Sequence, residues 1–251
     1  MSTISRKAQA MILAAGRGQR MRPLTDHTPK PLLPVRGQPL ITWHLAAMAR
    51  AGLQRVVINT GWLGAQIPAA LGSTYSCADC SAALAIHYSR EDLDFGNGIE
   101  TAGGIARALP LLEEAFWLVA GDVHAPTFVF DEKLRARFKA SATLAHIWLV
   151  PNPPHHPSGD FCLADGLARP KPTSVRDPAA LTTYTYSTLA LLKSELFTQP
   201  WCDLPAGNPQ GQSAPLGPLL LRAAAAGRVA ASLFTDPWTD VGTPQRLAAL
   251  Q

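Results

Sequence analysis

The sequence predicts an α/β fold, a mostly parallel mixed sheet with helices on both faces, on three observations. Short apolar runs that read as buried strands recur through the first half of the chain. Stretches with helical spacing separate them, and that alternation is how parallel strands are joined by crossover helices. From Pro151 onward the texture changes to proline-rich loops and hairpin-like segments, which suits a smaller lobe built on the same sheet. At 251 residues the chain is long enough for one domain with an ample apolar interior.

The elements follow in order. "AMILAA" is a short apolar run stopped by Gly16, a buried strand. "LITWHLAAMARAG" has Pro39 before it and Gly52 after it, the start and stop of a helix. "RVVIN", "LAIHY", "FWLVAGD" and "LAHIWLV" repeat the strand pattern, while "TAGGIARALPLL" and "DEKLRARFKA" supply helices between them. The later half offers "PNPPHHPSGDFCLADG", the strand-like "TTYTYSTLALL" and a Pro/Gly-rich stretch from Pro200 to Pro218 without periodicity. Long loops of this kind are usually functional, which makes them candidates for covering a substrate.

Composition narrows the classes. A hydrophobic fraction of 47% with 16% charged residues excludes a disordered chain. The formal charge of +4 favours anionic partners but is too small to indicate nucleic acid or a membrane surface. No run approaches the ~18 apolar residues of a membrane span, and the start lacks the apolar core of a signal peptide, so a cytoplasmic location is expected. Cys77 and Cys80 form one C-x-x-C, while Cys162 and Cys202 stand alone, so no second pair completes a zinc pattern. Reduced thiols are the expectation for all of them, with "SCADCS" as a loop.

The stretch "MILAAGRGQRMRPLTDHTPKPLLPV" carries the chemistry. A loop leaving the carboxyl end of a parallel strand, with glycines permitting close backbone approach, presents amide N–H groups to a phosphate chain. Arg17, Arg20, Arg22 and Lys30 add positive charge. The spacing G-x-G-x-R is neither the G-x-G-x-x-G of a dinucleotide site nor the G-K-[ST] ending of a P-loop. Lys30 sits between two prolines, which restrict the backbone on either side and so fix where its ammonium points.

"LAAGRGQRM" followed by "PK" resembles the opening signature of the sugar-phosphate nucleotidyltransferases, L-A-A-G-x-G-x-R-M…P-K. The resemblance implies a Rossmann-like fold of the nucleotide-diphospho-sugar transferase type, one domain over residues 1–251. Its nucleotide-binding part would span about 8–125, a sugar-binding part about 126–235, and a metal aspartate with a C-terminal helix 236–251. It further implies that Leu13, Ala15, Gly16, Gly18, Gln19 and Arg20 wrap the nucleotide phosphates, that Lys30 contacts the α-phosphate, and that Glu100 and Gly103 of "IETAGGI" face the nucleobase, Gly103 being otherwise a helix-packing residue. Lys30 and Arg20 are the catalytic candidates.

Asp122 in "VAGDVH" and Asp240 in "WTDVGT" fall just past strand ends, where ligands collect in open parallel sheets. Either one alone reads equally as a turn residue. Together, with the opening signature, the resemblance implies that they hold one Mg²⁺. "INTGWLGAQI", "NPPHHPSGDF" and "WTDVGTPQRL" extend the likeness to the branch of the family that joins UTP to N-acetylmuramate 1-phosphate in bacterial cell-wall recycling. Asn152 and Asp160 are then the sugar-contact candidates, on a proline-stiffened loop whose His155 and His156 read equally as solvated residues. Ala120, Ala102 and Pro215 depart from the family pattern. The opening signature is common to guanylyl- and thymidylyltransferases acting on mannose or glucose 1-phosphate, and a non-catalytic sugar-nucleotide sensor would keep the fold but lose Lys30 or an aspartate.

Overall fold

The computed structural model describes residues 7–80, 82–171, 182–205 and 207–251. The strands are β1 Ala8–Ala14, β2 Arg55–Thr60, β3 Thr74–Tyr75, β4 Leu84–Arg90, β5 Leu112–Ala120, β6 Val123–His124, β7 Ala145–Val150, β8 Phe161–Ala164, β9 Leu167–Pro170, β10 Thr183–Lys193, β11 Val229–Leu233 and β12 Thr239–Asp240. The helices are α1 Leu40–Arg50, α2 Gln66–Leu71, α3 Glu91–Phe95, α4 Glu100–Ala108, α5 Glu132–Ala140, α6 Gly217–Ala225 and α7 Pro244–Ala248. One large sheet runs in the order β8-β9-β11-β7-β10-β5-β1-β2-β4-β3, and β12 pairs with β6 outside it.

Parallel pairing holds across β5, β1, β2 and β4, the part formed by alternating apolar runs and helices. The sheet turns antiparallel at β10, which lies between β5 and β7, and the hairpin β8–β9 closes the far end. This is the mixed sheet expected, with the parallel strands gathered on the side of the first loop. Successive residues of each strand point to opposite faces, and both faces are covered. Met11, Val57, Phe116 and Leu118 pack beneath α4 and α6. Ala10, Ile12, Val56, Ile58 and Trp117 pack beneath α1 and α5. A strand buried on both sides reads as a continuous apolar run, which is why these strands were legible in sequence.

The Pro200 to Pro218 segment is tied to α4. Asn208 is fully buried, and its amide donates to the carbonyls of Gly103 and Gln212 at 3.2 and 2.9 Å. The Ala102 N–H donates to the Ala214 carbonyl at 2.8 Å. Cys77 and Cys80 form a disulfide, which corrects the expectation of reduced thiols at these two positions: their Cα atoms lie 5.2 Å apart, within bonding range. Cys162 and Cys202 are buried in the core.

A buried polar link ties β1 and β2, through α3, to the start of α4. The Asn59 side-chain oxygen accepts the Ala14 N–H at 2.8 Å, and its amide donates to Glu91 Oε1 at 2.6 Å. Glu91 Oε2 accepts the Ile99 N–H at 3.0 Å. A Cβ on Gly104 would lie 2.5 Å from Glu91 Oε1 and 2.9 Å from Asn59 Nδ2. Gly104→Ala should therefore destabilise the protein, although alanine gains about 1 kcal/mol of helix propensity. Overpacking a fixed, buried network costs roughly 1–3 kcal/mol and loosens its hydrogen bonds as well. A fall in Tm of a few degrees is expected, and an unchanged or raised Tm would show that the network yields without cost.

Candidate active site

A cleft of about 1380 Å³ opens at the carboxyl ends of β1, β2 and β5. It takes in Leu13, Ala15, Gly16, Gly18, Gln19 and Arg20 from the first loop, together with Lys30, Glu100 and Asp122. The loop is anchored at both sides: the Leu13 carbonyl accepts the Gly121 N–H at 2.8 Å, and the Ala15 carbonyl accepts the Trp62 N–H at 3.1 Å. Gly18 turns the chain at φ 63, a left-handed conformation that glycine adopts without steric cost. Around Gly16 nothing lies within 4 Å of where a Cβ would be, so its backbone is open to the cleft rather than to the protein's own packing.

The cations of the loop are not equivalent. Arg22 is held by Asp26 at 2.6 Å on the surface. Arg17, which lines the cleft, stacks on Trp62 at 4.4 Å, and the Trp62 indole N–H is fixed by the Thr25 carbonyl at 2.8 Å. No motif in the sequence singles out Trp62. Arg20 makes no hydrogen bond or ion pair among the described residues and is exposed to the cleft. Lys30 opens the short 3-10 turn Lys30–Leu32 and is 7% exposed, with its ammonium ion-paired to Asp122.

Asp122 lies between β5 and β6, and Asp240 ends β12. Asp240 is the register partner of Val123, and the Val241 N–H donates to the Asp122 carbonyl at 2.9 Å, so the two aspartates sit on adjacent paired strands. His44 supports this pairing from α1: buried, with a pKa lowered to about 4 by burial, it stays neutral and its Nε2 contacts the Val123 carbonyl at 2.7 Å. The Asp240 carboxylate is met by Arg246 at 2.8 Å and His155 at 3.2 Å. Among the described residues no group of three metal-type side chains converges. Asp122 lines the cleft and Asp240 lines a smaller neighbouring cavity, each carboxylate paired with a cation.

At the other side of the cleft, Glu100 begins α4 at φ 59, a left-handed conformation costly for a residue with a side chain. The neighbouring hydrogen bonds hold it there. Burial raises the Glu91 carboxyl above its ordinary range, because ionisation in that site forgoes water. A Cβ on Gly103 would lie 2.7 Å from the Gln212 carbonyl, the close packing beneath the 208–214 segment that is the other reading of this glycine.

Asn152 and Asp160 stand outside the residues that line the cleft, as Asp240 does. The Asn152 amide donates to the carbonyls of Pro157 and Thr183, both at 3.1 Å, and its oxygen accepts from Thr185 at 3.0 Å. Asp160 accepts the Tyr186 N–H at 2.9 Å and contacts His156 at 2.9 Å. Both side chains spend their hydrogen bonds fastening the loop to β10. What β10 presents to the cleft is Tyr186 and Thr188, the latter held at φ 63, at the break in register between β10 and β7. No spacing or motif flagged them.

A family model for nucleotidyl transferases matches residues 9–159. The chain is 44% identical to an N-acetylmuramate alpha-1-phosphate uridylyltransferase of Neisseria meningitidis serogroup B, over 97% of this chain and 96% of that one. It is 32% identical to the protein of the same name from Caulobacter vibrioides, over 96% and 94%. Among solved structures it matches a Bacillus anthracis protein described as a glucose-1-phosphate thymidylyltransferase, with TM-score 0.71 at 20% identity over 96% of this chain and 94% of the other. The chain belongs to the nucleotidyl transferase family. It is a sugar-1-phosphate nucleotidyltransferase, and its cleft holds the glycine-turned first loop, a buried lysine and Asp122.

Proposed function

We propose that the chain joins UTP and N-acetylmuramate α-1-phosphate to give UDP-N-acetylmuramate and pyrophosphate, as one step of peptidoglycan recycling. The observation that carries this reading is the placement of Lys30, buried between prolines and directed at Asp122, in a cleft large enough for a nucleotide and a sugar. Near-complete coverage by two relatives bearing that activity in their names supports the choice of substrates.

The chemistry needs no protein nucleophile. A sugar phosphate oxygen attacks the α-phosphorus of UTP in line with the departing pyrophosphate, and the attacking oxygen is already ionised near neutrality. What remains is positioning and neutralisation of charge. Lys30 places an ammonium at the α-phosphoryl group. Arg20 and the amides of the Gly16–Gly18 turn receive the β- and γ-phosphates, and Glu100 with the start of α4 forms the nucleobase side. Asp122 and Asp240 would hold Mg²⁺, which when bound draws the two substrates' phosphate oxygens together and offsets their charge. Among the described residues no helix is long and apolar enough to cross a membrane.

The test is direct. The purified protein is mixed with Mg²⁺, each nucleoside triphosphate in turn and a panel of sugar 1-phosphates, and pyrophosphate release is followed. Fastest release with UTP and N-acetylmuramate 1-phosphate is expected. Faster release with GTP and mannose 1-phosphate, or with dTTP and glucose 1-phosphate, would replace the substrates, and no release with any pair would point to a sensor.

A further inference from the structure

The order of the strands gives the cleft two flanks. Asn59 at the end of β2 and Asp92 beyond β4 line one, where α4, which begins at Glu100, packs against the same two strands. β10 stands on the other, beyond β5. With the nucleobase at Glu100 and the reacting phosphates at Lys30 and Asp122, the sugar falls on the β10 flank, which is lined by Leu118, Ala120, Tyr186, Thr188, Pro215 and Leu216. We propose that Thr188 is a specificity-determining contact for the sugar, its Oγ1 accepting a hydrogen bond from an O–H or N–H that the sugar carries. The proposal rests on reading the first loop as the nucleotide phosphate site, and it holds whichever sugar 1-phosphate the enzyme prefers.

The backbone of Thr188 carries the first part of the argument. Its φ of 63 is left-handed, and among the described residues Thr188 is the one β-branched residue of the six non-glycine residues at positive φ. A β-branched residue there is a steric outlier, and it persists only where the surrounding structure over-determines it. Ser187 supplies that support. Fully buried, it donates from its hydroxyl to the Trp148 carbonyl at 2.7 Å and accepts the Leu189 N–H at 3.1 Å, bridging the break in register of β10. The Ser187 carbonyl in turn accepts the Trp238 indole N–H at 3.0 Å. Glycine would make the same turn at no steric cost, so the turn itself does not call for threonine. What the strain brings is a side chain on the wall of the cleft.

The chemistry of that side chain carries the second part. The Tyr186 hydroxyl is buried without a partner and out of a ligand's reach, and Leu118, Ala120, Pro215 and Leu216 are apolar, so Thr188 is the polar side chain that these six residues offer. Its hydroxyl donates to the Ser187 carbonyl at 2.6 Å, and no described residue donates to it. With the proton spent, Oγ1 meets a ligand as an acceptor alone. Such a group favours a sugar that brings a donor to it. An analogue without that donor leaves the oxygen with neither water nor partner, which is how a polar contact discriminates between substrates.

The experiment compares wild type with Thr188→Val, Thr188→Ser and Thr188→Gly. For each, Tm, the KM for the nucleoside triphosphate and kcat/KM for the sugar 1-phosphate that wild type uses best are measured. Analogues of that sugar phosphate lacking one donor at a time are then run with wild type and Thr188→Val. Valine keeps the branched shape and deletes the acceptor, so kcat/KM for the sugar should fall about threefold to tenfold, the worth of one hydrogen bond, with little change in the triphosphate KM. Thr188→Ser keeps the oxygen and should lose less. Thr188→Gly should lose as much as valine although its Tm is at or above that of wild type, because the strain is relieved. Lower activity with undiminished stability separates a ligand contact from a structural one. One analogue should cost wild type a similar factor and cost Thr188→Val nothing further, the non-additivity of a direct contact. Wild-type kcat/KM in Thr188→Gly, the same penalty from every analogue in wild type and Thr188→Val, or a rise in triphosphate KM as large as the loss on the sugar would each overturn the proposal. If Thr188→Val does not fold, the analogues are run on Thr188→Gly and decide in the same way. A wild type that prefers another sugar removes N-acetylmuramate 1-phosphate from the functional reading, and the same comparison on the preferred sugar decides the role of Thr188. No pyrophosphate release with any pair removes both.

Discussion

Lys30→Met should lower kcat by on the order of a hundredfold to a thousandfold, the usual effect of deleting one preorganised positive group at a developing oxyanion. Its KM for UTP should move far less. The reason lies in where the charge sits: Lys30 is 7% exposed, its backbone is set by Pro29 and Pro31, and its ammonium's partner before substrate arrives is Asp122. A cation so placed costs little reorganisation when charge builds on the α-phosphoryl oxygens, which is the condition for lowering the barrier rather than only tightening binding. Methionine retains the length and apolar contacts of the lysine stem, so the fold should survive. Removing the lysine also leaves the Asp122 carboxylate unpaired, but that group is more than a third exposed, and water offsets the loss. Steady-state kinetics over a UTP series, with circular dichroism to check the fold, decide the matter. A change confined to KM would make Lys30 a binding group only.

The parts of the site that sequence made legible are those where one residue type has one physical use. Gly18 sits at positive φ, Lys30 is framed by prolines, Asp122 follows β5 and Asp240 closes β12, so each could be placed from its neighbours in the chain. The sheet was legible for the same reason, since strands buried on both faces leave unbroken apolar runs. The sugar side was not. Asn152 and Asp160 look like free polar groups in "NPPHHPSGDF", yet their partners Thr183, Thr185 and Tyr186 lie 26 to 33 residues away on β10, and only the folded register reveals that they are spent. His155, of the same motif, faces Arg246, which is 91 residues distant. Gly103 met the same difficulty: the segment it packs against has no periodicity, so nothing in the chain announced that Gln212 and Ala214 would cover it.

Asp122→Asn and Asp240→Asn should each remove most turnover, by about a hundredfold or more, if the pair holds the metal that offsets phosphate charge. Asparagine keeps the shape of both side chains and deletes the charge, so the β6–β12 pairing that depends on backbone groups should persist. The two variants should differ in a second respect. Asp122→Asn strips Lys30 of its ion pair and leaves a buried ammonium facing a neutral amide, which adds an effect on the α-phosphate side of the cleft. Asp240→Asn releases Arg246 and His155 instead, on the cavity side of β12. Pyrophosphate release over a Mg²⁺ series, run in parallel for both aspartate variants, provides the measurement. Turnover near that of wild type at limiting Mg²⁺ in both variants would remove the metal assignment from this pair.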